Sequence, residues 1–425
     1  MTEQMNVPKL RFGEFKSHIA EPKKLGQLVD MKSGNTPSKS NQNFWGGTIP
    51  WISASSMKGN VFSESEQNVT QLALENGAKL ASKGSLLLLV RGSMLFNKVP
   101  VGFAGRDVTY NQDVKAINLK NGDDNSYLFY WFKANEYKLL SMVTGTGIGA
   151  GKLDSEELLN LPFHQPKLAE QQKIVSFLSK VDEKITLLTE KKNKLTEYKK
   201  GVMQQLFNGK WEEQDGQLTF TPPTLRFKAD DGSEFPDWEE KKLGDVLIKY
   251  RLGGNYQNSE VRTQFPLIKM GNLGRGNINL NKVEYILEGE AIDSQDRIQE
   301  GDLFFNTRNT LELVGKVAIW KNELSEAYYN SNLMRLEFEN NYFMNYCLNS
   351  FNGVRGLRRF ATGTTSVAAI YTRDLLKLKL CIPSLEEQTK ISDFLSVVDQ
   401  KIDLTNSELE KAKEWKKGLL QQMFV

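Results

Sequence analysis

The sequence predicts a mixed α/β (α+β) chain built twice over. Two globular domains are each followed by a long α-helix, and the two helices pack antiparallel in a pseudo-twofold internal repeat. Three observations carry this. The stretch 158–207 aligns without a gap on 375–424 at an offset of 217, with 25 of 50 positions identical. Each copy repeats its apolar residues by threes and fours, the period of a helix with one sticky seam. Ahead of each copy lie short apolar runs bounded by Gly, Asn and Asp, which is how strands of a compact domain read.

The helices come first because they are the clearest. Ile174, Leu178, Val181, Ile185, Leu188 and Leu195 form one seam, interrupted by Lys192; Ile391, Leu395, Val398, Ile402, Leu409 and Ala412 form the other. Forty residues at 1.5 Å rise make a rod of roughly 60 Å, too long to hide its seam alone, so the two copies are expected to pair. Pro166 and Pro383 sit just ahead of the helices, where proline is tolerated, and Ser384 with Glu387 reads as a capping box. In the globular segments LLLLV, DLFFN, VAIW and LMRLEF read as strands and YLFYWFKANEY as a helix. Weaker echoes tie the two segments together: LRF at 10–12 and 225–227, KLG at 24–26 and 242–244, KGSLLLLVRGS against EGDLFFNTRNT, TYNQDV against YYNSNL, and TGTG against TGTT. The predicted order is a first domain over 1–160, a helix over 161–208, a linker over 209–223, a second domain over 224–382 and a final helix over 383–425.

Composition narrows the function. With 39% hydrophobic and 25% charged residues, each domain can bury a core. No apolar run approaches the ~20 residues of a membrane span, and the opening MTEQMNVPKL resembles no secretory signal, so a soluble cytoplasmic protein without membrane contact is expected. Two cysteines, Cys347 and Cys381, cannot build a disulfide framework, and two histidines, His18 and His164, leave little for histidine-based catalysis or metal binding. No metal site is expected.

Three strings imitate catalytic motifs and fail. TGTGIGAGK has Thr146 where a phosphate loop needs its first glycine and Leu153 where it needs a hydroxyl. PDWEEK holds the letters of a nuclease site, but its acids are nearly contiguous and cannot converge on a metal from separate strands. TPPT lacks the Asn or Asp and the aromatic of an amino-methyltransferase site. No catalytic residues are assigned.

Taken together, IPSLEEQTKISDFL and FHQPKLAEQQKIVSFL at the helix entries, the KKLGQ and KKLGD openings, WGGTIPWIS and the TGT loops resemble the specificity (S) subunit of Type I restriction-modification systems across essentially the whole chain. The resemblance implies that each globular segment is a target recognition domain reading one half of a bipartite, asymmetric site on double-stranded DNA. The paired helices would set the spacer and dock two modification (methyltransferase) subunits, with two restriction (translocase and nuclease) subunits joining the full complex. It implies no cofactor on this chain; S-adenosylmethionine, ATP and Mg belong to the partners. The chain itself would be a non-catalytic subunit of the endonuclease and adenine methyltransferase complex.

Base readout in the major groove needs Arg or Lys for guanine and Asn or Gln for adenine. The candidates in the first domain are Lys39, Asn41, Gln42, Asn43, Ser53, Ser55, Lys58 and Arg91. In the second they are Arg251, Asn255, Tyr256, Asn258, Lys269, Asn272, Arg275 and Arg308. Trp45 and Trp51 read as core. Arg91 and Arg308 occupy equivalent positions, which suggests a shared phosphate or framework role. Ile174, Leu178, Val181, Ile185, Ile391, Leu395, Val398 and Ile402 are the expected helix-pairing and docking positions. By segment, net charge is +3 over 1–160, +5 over 161–210, −3 over 211–384 and −2 over 385–425, so the second domain needs a local basic patch to meet DNA. Two alternatives stand beside this reading: a duplicated protein-interaction scaffold, including an acidic DNA mimic, and a self-contained methyltransferase or nuclease.

Overall fold

The structure is a computed structural model that describes residues 8–16, 21–120, 123–147, 149–214 and 217–424. His18 lies outside the described residues. The chain divides into two units, one formed by 1–189 with 407–425 and the other by 190–406. Among the described residues no helix is long and apolar enough to cross a membrane.

In the first unit Leu86–Leu89 is the middle strand of a five-stranded sheet ordered Val29–Ser33, Val114–Leu119, Leu86–Leu89, Val101–Ala104, Val61–Phe62. All four residues of that strand are buried, which is why it reads as an unbroken apolar run rather than an alternating one. A second sheet runs Asn68–Val69, Trp45–Ile52, Val108–Tyr110, Leu80–Ala81, with the middle pair parallel. The helix Asn125–Ala134 is capped by Asp124, whose carboxylate accepts from the Ser126 amide at 2.8 Å, and it buries Tyr127 through Phe132 without interruption. Such a helix must be covered all round. The long helices Leu168–Leu206 and Leu385–Met423 do part of that covering: Ile174, Leu178 and Val181 from the first and Leu419, Leu420, Met423 and Phe424 from the second join the domain's core. Leu188 packs on Leu409 and Ala412. Rising numbers on one helix meet falling numbers on the other, so the pair is antiparallel.

The second unit repeats the plan. Its sheet runs Lys249–Leu252, Leu333–Glu337, Leu303–Asn306, Val317–Ile319, and a parallel bridge from Gly276 to Ala318 stands where the first unit has its fifth strand. Its partner sheet runs Asn258–Ser259, Glu284–Ile286, Pro266–Ile268, Tyr328–Tyr329. Ile391 and Leu395 join Val202, Leu206 and Phe207 in the core, while Val398 is buried and Ile402, like Ile185 in the first unit, is half-buried. The glycine kept in KGS and EGD has a reason: Gly84 and Gly301 both have φ of +85°, where a side chain would be strained. Gly34 and Gly253 are another matched pair. A Cβ on them would lie 2.2 and 2.3 Å from the carbonyl oxygens of Tyr110 and Tyr329.

Two polar devices appear twice. Arg11 donates Nε and Nη2 to the two oxygens of Glu170 at 2.8 and 2.6 Å; Arg226 does the same to Glu387 at 3.2 and 2.7 Å, with Trp238 Nε1 adding a bond of 3.1 Å. These are the arginines of the repeated LRF strings. Asp182 accepts from Tyr130 at 2.9 Å and pairs with Lys416; Asp399 accepts from Tyr346 at 2.8 Å and pairs with Lys199 at 2.6 Å. Burial, reinforced by the neighbouring aspartate and opposed by the hydrogen bond to Ser179 or Ser396, raises both tyrosine pKa values well above the usual phenol range, so both donate.

The structure changes two details. Ser384 does accept from the Glu387 amide, at 3.4 Å, but the Glu387 carboxylate is spent on Arg226 and Trp238 rather than on closing a capping box. The stretch expected as a linker contains an antiparallel hairpin, Lys210–Gln214 with Gln217–Thr221.

The side chains of Glu170 and Glu387 are only 5% and 0% exposed, so removing their charge leaves a half-buried Arg11 unpaired and leaves Arg226 only the exposed Asp237, at 3.7 Å. Glu170→Gln and Glu387→Gln should each destabilise their own unit by about 3–5 kcal/mol, read as a lowered urea midpoint; an unchanged midpoint would show the pair to be dispensable.

Candidate nucleic-acid interface

The regions between the repeated strings look unrelated in sequence, yet they fold alike. In the first unit Trp51 and Ile52 pair in parallel with Thr109 and Tyr110; in the second Leu267 and Ile268 pair with Tyr328 and Tyr329. A one-turn 3₁₀ helix follows each, Ala54–Ser56 and Met270–Asn272, and each ends on a buried residue, Met57 or Leu273. By this register Ser53 corresponds to Lys269, Ser55 to Gly271 and Lys58 to Gly274. Ser53, Ser55 and Lys58 in one domain and Lys269, Asn272 and Arg275 in the other therefore lie on one structural loop.

A second shared feature is a small three-stranded sheet. Arg91–Gly92 pairs with Gly151–Lys152, which pairs with Thr144–Gly145; Arg308–Asn309, Ala368–Ala369 and Thr362–Gly363 do the same. The TGT loops and the two retained arginines thus belong to one device. Arg91 and Arg308 are exposed, and among the described residues neither forms an ion pair.

In the first unit Lys39, Gln42, Asn43, Ser55 and Lys58 are exposed. The Asn41 carboxamide oxygen accepts from the Asn43 amide at 3.1 Å and holds the loop in its turn. Ser53 and Ser55 share a hydroxyl contact of 3.1 Å. Trp51 is buried with Nε1 donating to the Asn35 carbonyl at 3.1 Å, and Trp45 packs edge-on against it, so both are framework.

The second unit corrects the expectation at several positions. Asn272 is buried; it accepts from the Lys269 amide at 2.9 Å and donates to the carbonyls of Asn279 and Lys282 at 2.9 and 2.8 Å. Tyr256 is buried and donates to Asp296 at 2.6 Å, and burial together with that bond pushes its pKa up to about 12. Arg251 is held by Asp293 at 2.6 Å, Gln295 at 2.8 Å and Asp296 at 3.2 Å. Lys269 pairs with Glu284 at 2.8 Å and donates to Asn258 at 3.1 Å, whose amide donates to the Tyr256 carbonyl at 2.7 Å. A base edge would have to displace these bonds, so these five residues build the loop. Asn255, Arg275 and Arg308 remain exposed. Sequence reading passed over the arginines of the helix Phe351–Arg359, of which Arg355, Arg358 and Arg359 are exposed. The signal was present as the run RGLRR inside an otherwise acidic segment.

The helix surfaces divide in two. Ile174, Leu178, Val181, Ile391 and Leu395 are consumed by the cores. Among the apolar and aromatic residues that stay exposed is a matched set: Leu187 and Trp415 in the first unit, Leu404 and Tyr198 in the second, at 58%, 50%, 63% and 52%. Leu187 and Leu404 are equivalent by the 217-residue offset, as are Tyr198 and Trp415.

The family described as the Type I restriction modification DNA specificity domain matches twice, over residues 20–197 and 236–414. The chain is 29% identical over 286 residues to the Type I restriction enzyme MjaIX specificity subunit of Methanocaldococcus jannaschii, a match covering 65% of this chain and 60% of that subunit. It is 25% identical to the MjaVIII specificity subunit of the same organism over 95% of this chain and 91% of that one. The crystal structure of a Type I restriction-modification S subunit from M. genitalium shares the fold, with a TM-score of 0.58, 16% identity and 99% of each chain covered.

If Tyr256 and Asn272 build the loop, Tyr256→Phe and Asn272→Ala each cost about 1–3 kcal/mol by stranding buried partners. The exposed Asn255→Ala should leave the unfolding midpoint within about 0.5 kcal/mol of the parent. Equal midpoints for all three variants in urea denaturation would contradict the assignment.

Proposed function

Because the chain belongs to the Type I restriction-modification DNA specificity family, we propose that it is the DNA-recognition subunit of such a complex, with each unit reading one half of a bipartite, asymmetric site on double-stranded DNA. The observation that supports this best is the matched small sheet, which presents Arg91 in one unit and Arg308 in the other beside loops of different sequence. Equivalent arginines suit phosphate contacts, which set position without reading sequence. The neighbouring loops carry the differences that could read bases: Lys39, Gln42, Asn43, Ser53, Ser55 and Lys58 in the first unit, and Asn255 in the second.

The chain supplies recognition and no catalysis. Two modification subunits, carrying S-adenosylmethionine, dock on the helix surfaces. The duplicated exposed pairs Leu187 with Trp415 and Leu404 with Tyr198 suit two copies of one partner, because each offers an aliphatic and an aromatic anchor in matching places. Two restriction subunits with ATP and Mg complete the assembly, which works in the cytoplasm where the DNA is.

The helices set the gap between half-sites. Each has 39 residues, about 58 Å at 1.5 Å per residue. Adding four matched residues to both lengthens the pair by about 6 Å, which should widen the recognised gap by about one or two base pairs. Selection of bound duplexes from a library of gap lengths checks this, and an unchanged gap would refute the spacer role. Exchanging residues 1–160 for those of a relative should change one half of the selected motif and leave the other half alone. A change in both halves, or in neither, would sink the two-reader assignment.

A further inference from the structure

The second domain carries a net negative charge, yet one place in it collects cations without acids. Arg275 sits in the loop after the 3₁₀ turn Met270–Asn272, and Nη2 reaches the carbonyl of Glu312 at 3.4 Å. Lys316 donates Nζ to the carbonyl of Leu273, at the base of the same loop, at 3.0 Å. The next residue of that loop, Gly276, lies against the helix Asn341–Asn349: an added Cβ would sit 3.7 and 3.8 Å from the amide nitrogens of Asn345 and Asn349. Arg358, on the following helix, belongs to the same corner: Gly315, next to Lys316, lies against Leu357, next to Arg358, and an added Cβ there would sit 3.5 Å from the Leu357 Cβ. Burial and then the field of Arg358 hold the Arg275 pKa below its usual range, and burial and then Arg275 do the same to Lys316. Among the described residues, none of the three cations forms an ion pair.

The first domain has nothing like this. The shared strand-and-turn register places Gly59 where the second unit has Arg275. The sheet pairings of Leu88 with Val101 and Phe305 with Val317 place Pro100 where it has Lys316. Counting back from the TGT strands places Leu140 where it has Arg358. Three neutral residues stand for three cations within an otherwise common frame. Three unneutralised cations drawn from separate elements repel one another and gain stability when an anion joins them.

We infer that Arg275, Lys316 and Arg358 form a phosphodiester clamp that grips the backbone of the second half-site and has no equivalent in the first domain. The inference rests on the DNA-recognition reading and adds to it a division of labour. The acidic second domain obtains its hold on DNA from one concentrated site, made of residues other than those that tell bases apart.

The salt dependence of binding tests the clamp. The full chain, assembled with its modification subunit, is titrated with a fluorescent duplex carrying its motif over a range of KCl concentrations. Each neutralised phosphate contributes about 0.9 to the slope of log K against log salt. Arg358→Gln should make the slope shallower by about 1, and the triple variant with Arg275→Gln and Lys316→Gln by about 2–3. The selected base sequence should stay the same in both. Arg275 and Lys316 also hold carbonyls, so the triple variant loosens the loop; the Arg358 side chain makes no hydrogen bond among the described residues and keeps the test clean. Neutral methylphosphonate linkages in the second half-site should remove from the parent the increment that the triple variant loses, and nothing further from the triple variant. An unchanged slope for Arg358→Gln, or a changed motif, would overturn the clamp. Failure of the parent complex to bind the duplex at all would instead count against the recognition reading.

Discussion

In each unit one carboxylate joins three parts of the structure. Asp182 is held by Tyr130 of the globular domain and by Lys416 of the opposite helix, and Asp399 by Tyr346 and Lys199 in the same way. A seam of leucines and isoleucines favours contact but tolerates rotation and sliding. A charged, directional bond does not, because turning the helix strands a buried phenol or a half-buried lysine. The aspartate therefore fixes which face of the helix meets the domain and which residue of the second helix lies opposite. The lysine also stacks over the tyrosine ring, at 5.6 Å in one unit and 5.2 Å in the other. With the helix entry clamped by the Arg11–Glu170 or Arg226–Glu387 pair, the rotation of each long helix is set at two heights.

Around that fixed frame the two halves differ where difference is useful. In the first unit the helices meet through Leu188, Leu409 and Ala412. The equivalent positions of the second unit hold Thr405, Lys192 and Leu195, and there Lys192 reaches the Asn406 side chain at 2.5 Å. A polar layer at a seam specifies register at some cost in stability, and an apolar one supplies the stability. The recognition loops follow the same logic: a common strand and 3₁₀ turn carry serines and a lysine in one unit, and a hydrogen-bonded lysine–asparagine cluster in the other. Such a cluster gives a stiff loop, which suits selective contacts better than a mobile one does. The exposed Arg91 and Arg308, which form no ion pair among the described residues, also speak against an acidic mimic of DNA, which would shed such cations.

Much of this was legible in the sequence because duplication is a comparison the chain makes with itself. The helices, their seam, the buried strand LLLLV and the kinship of Arg91 with Arg308 all follow from matched strings. The polar pairings did not. Arg11 and Glu170 are 159 residues apart, and no periodicity announces that LRF closes on the helix entry. Glu387 was read as a local cap because the capping pattern is short-range, whereas its real partner arrives from Arg226. In the second domain Asn272, Tyr256 and Arg251 had the right chemistry for bases and are used by the fold. Residue type tells what a side chain can bond, and only the tertiary structure tells what has already bonded it. The common turn beneath the divergent loops was invisible for the opposite reason: burial at Met57 and Leu273 conserves shape while letting letters change.

The account stands on one claim, that the chain is a two-part reader of DNA. The most direct measurement is single-molecule sequencing of genomic DNA from a host that expresses this chain with its modification subunit. A new adenine-methylated motif made of two short specific parts separated by a gap of fixed length is the predicted result. With assembly of the complex confirmed, a continuous motif or no new motif would contradict it.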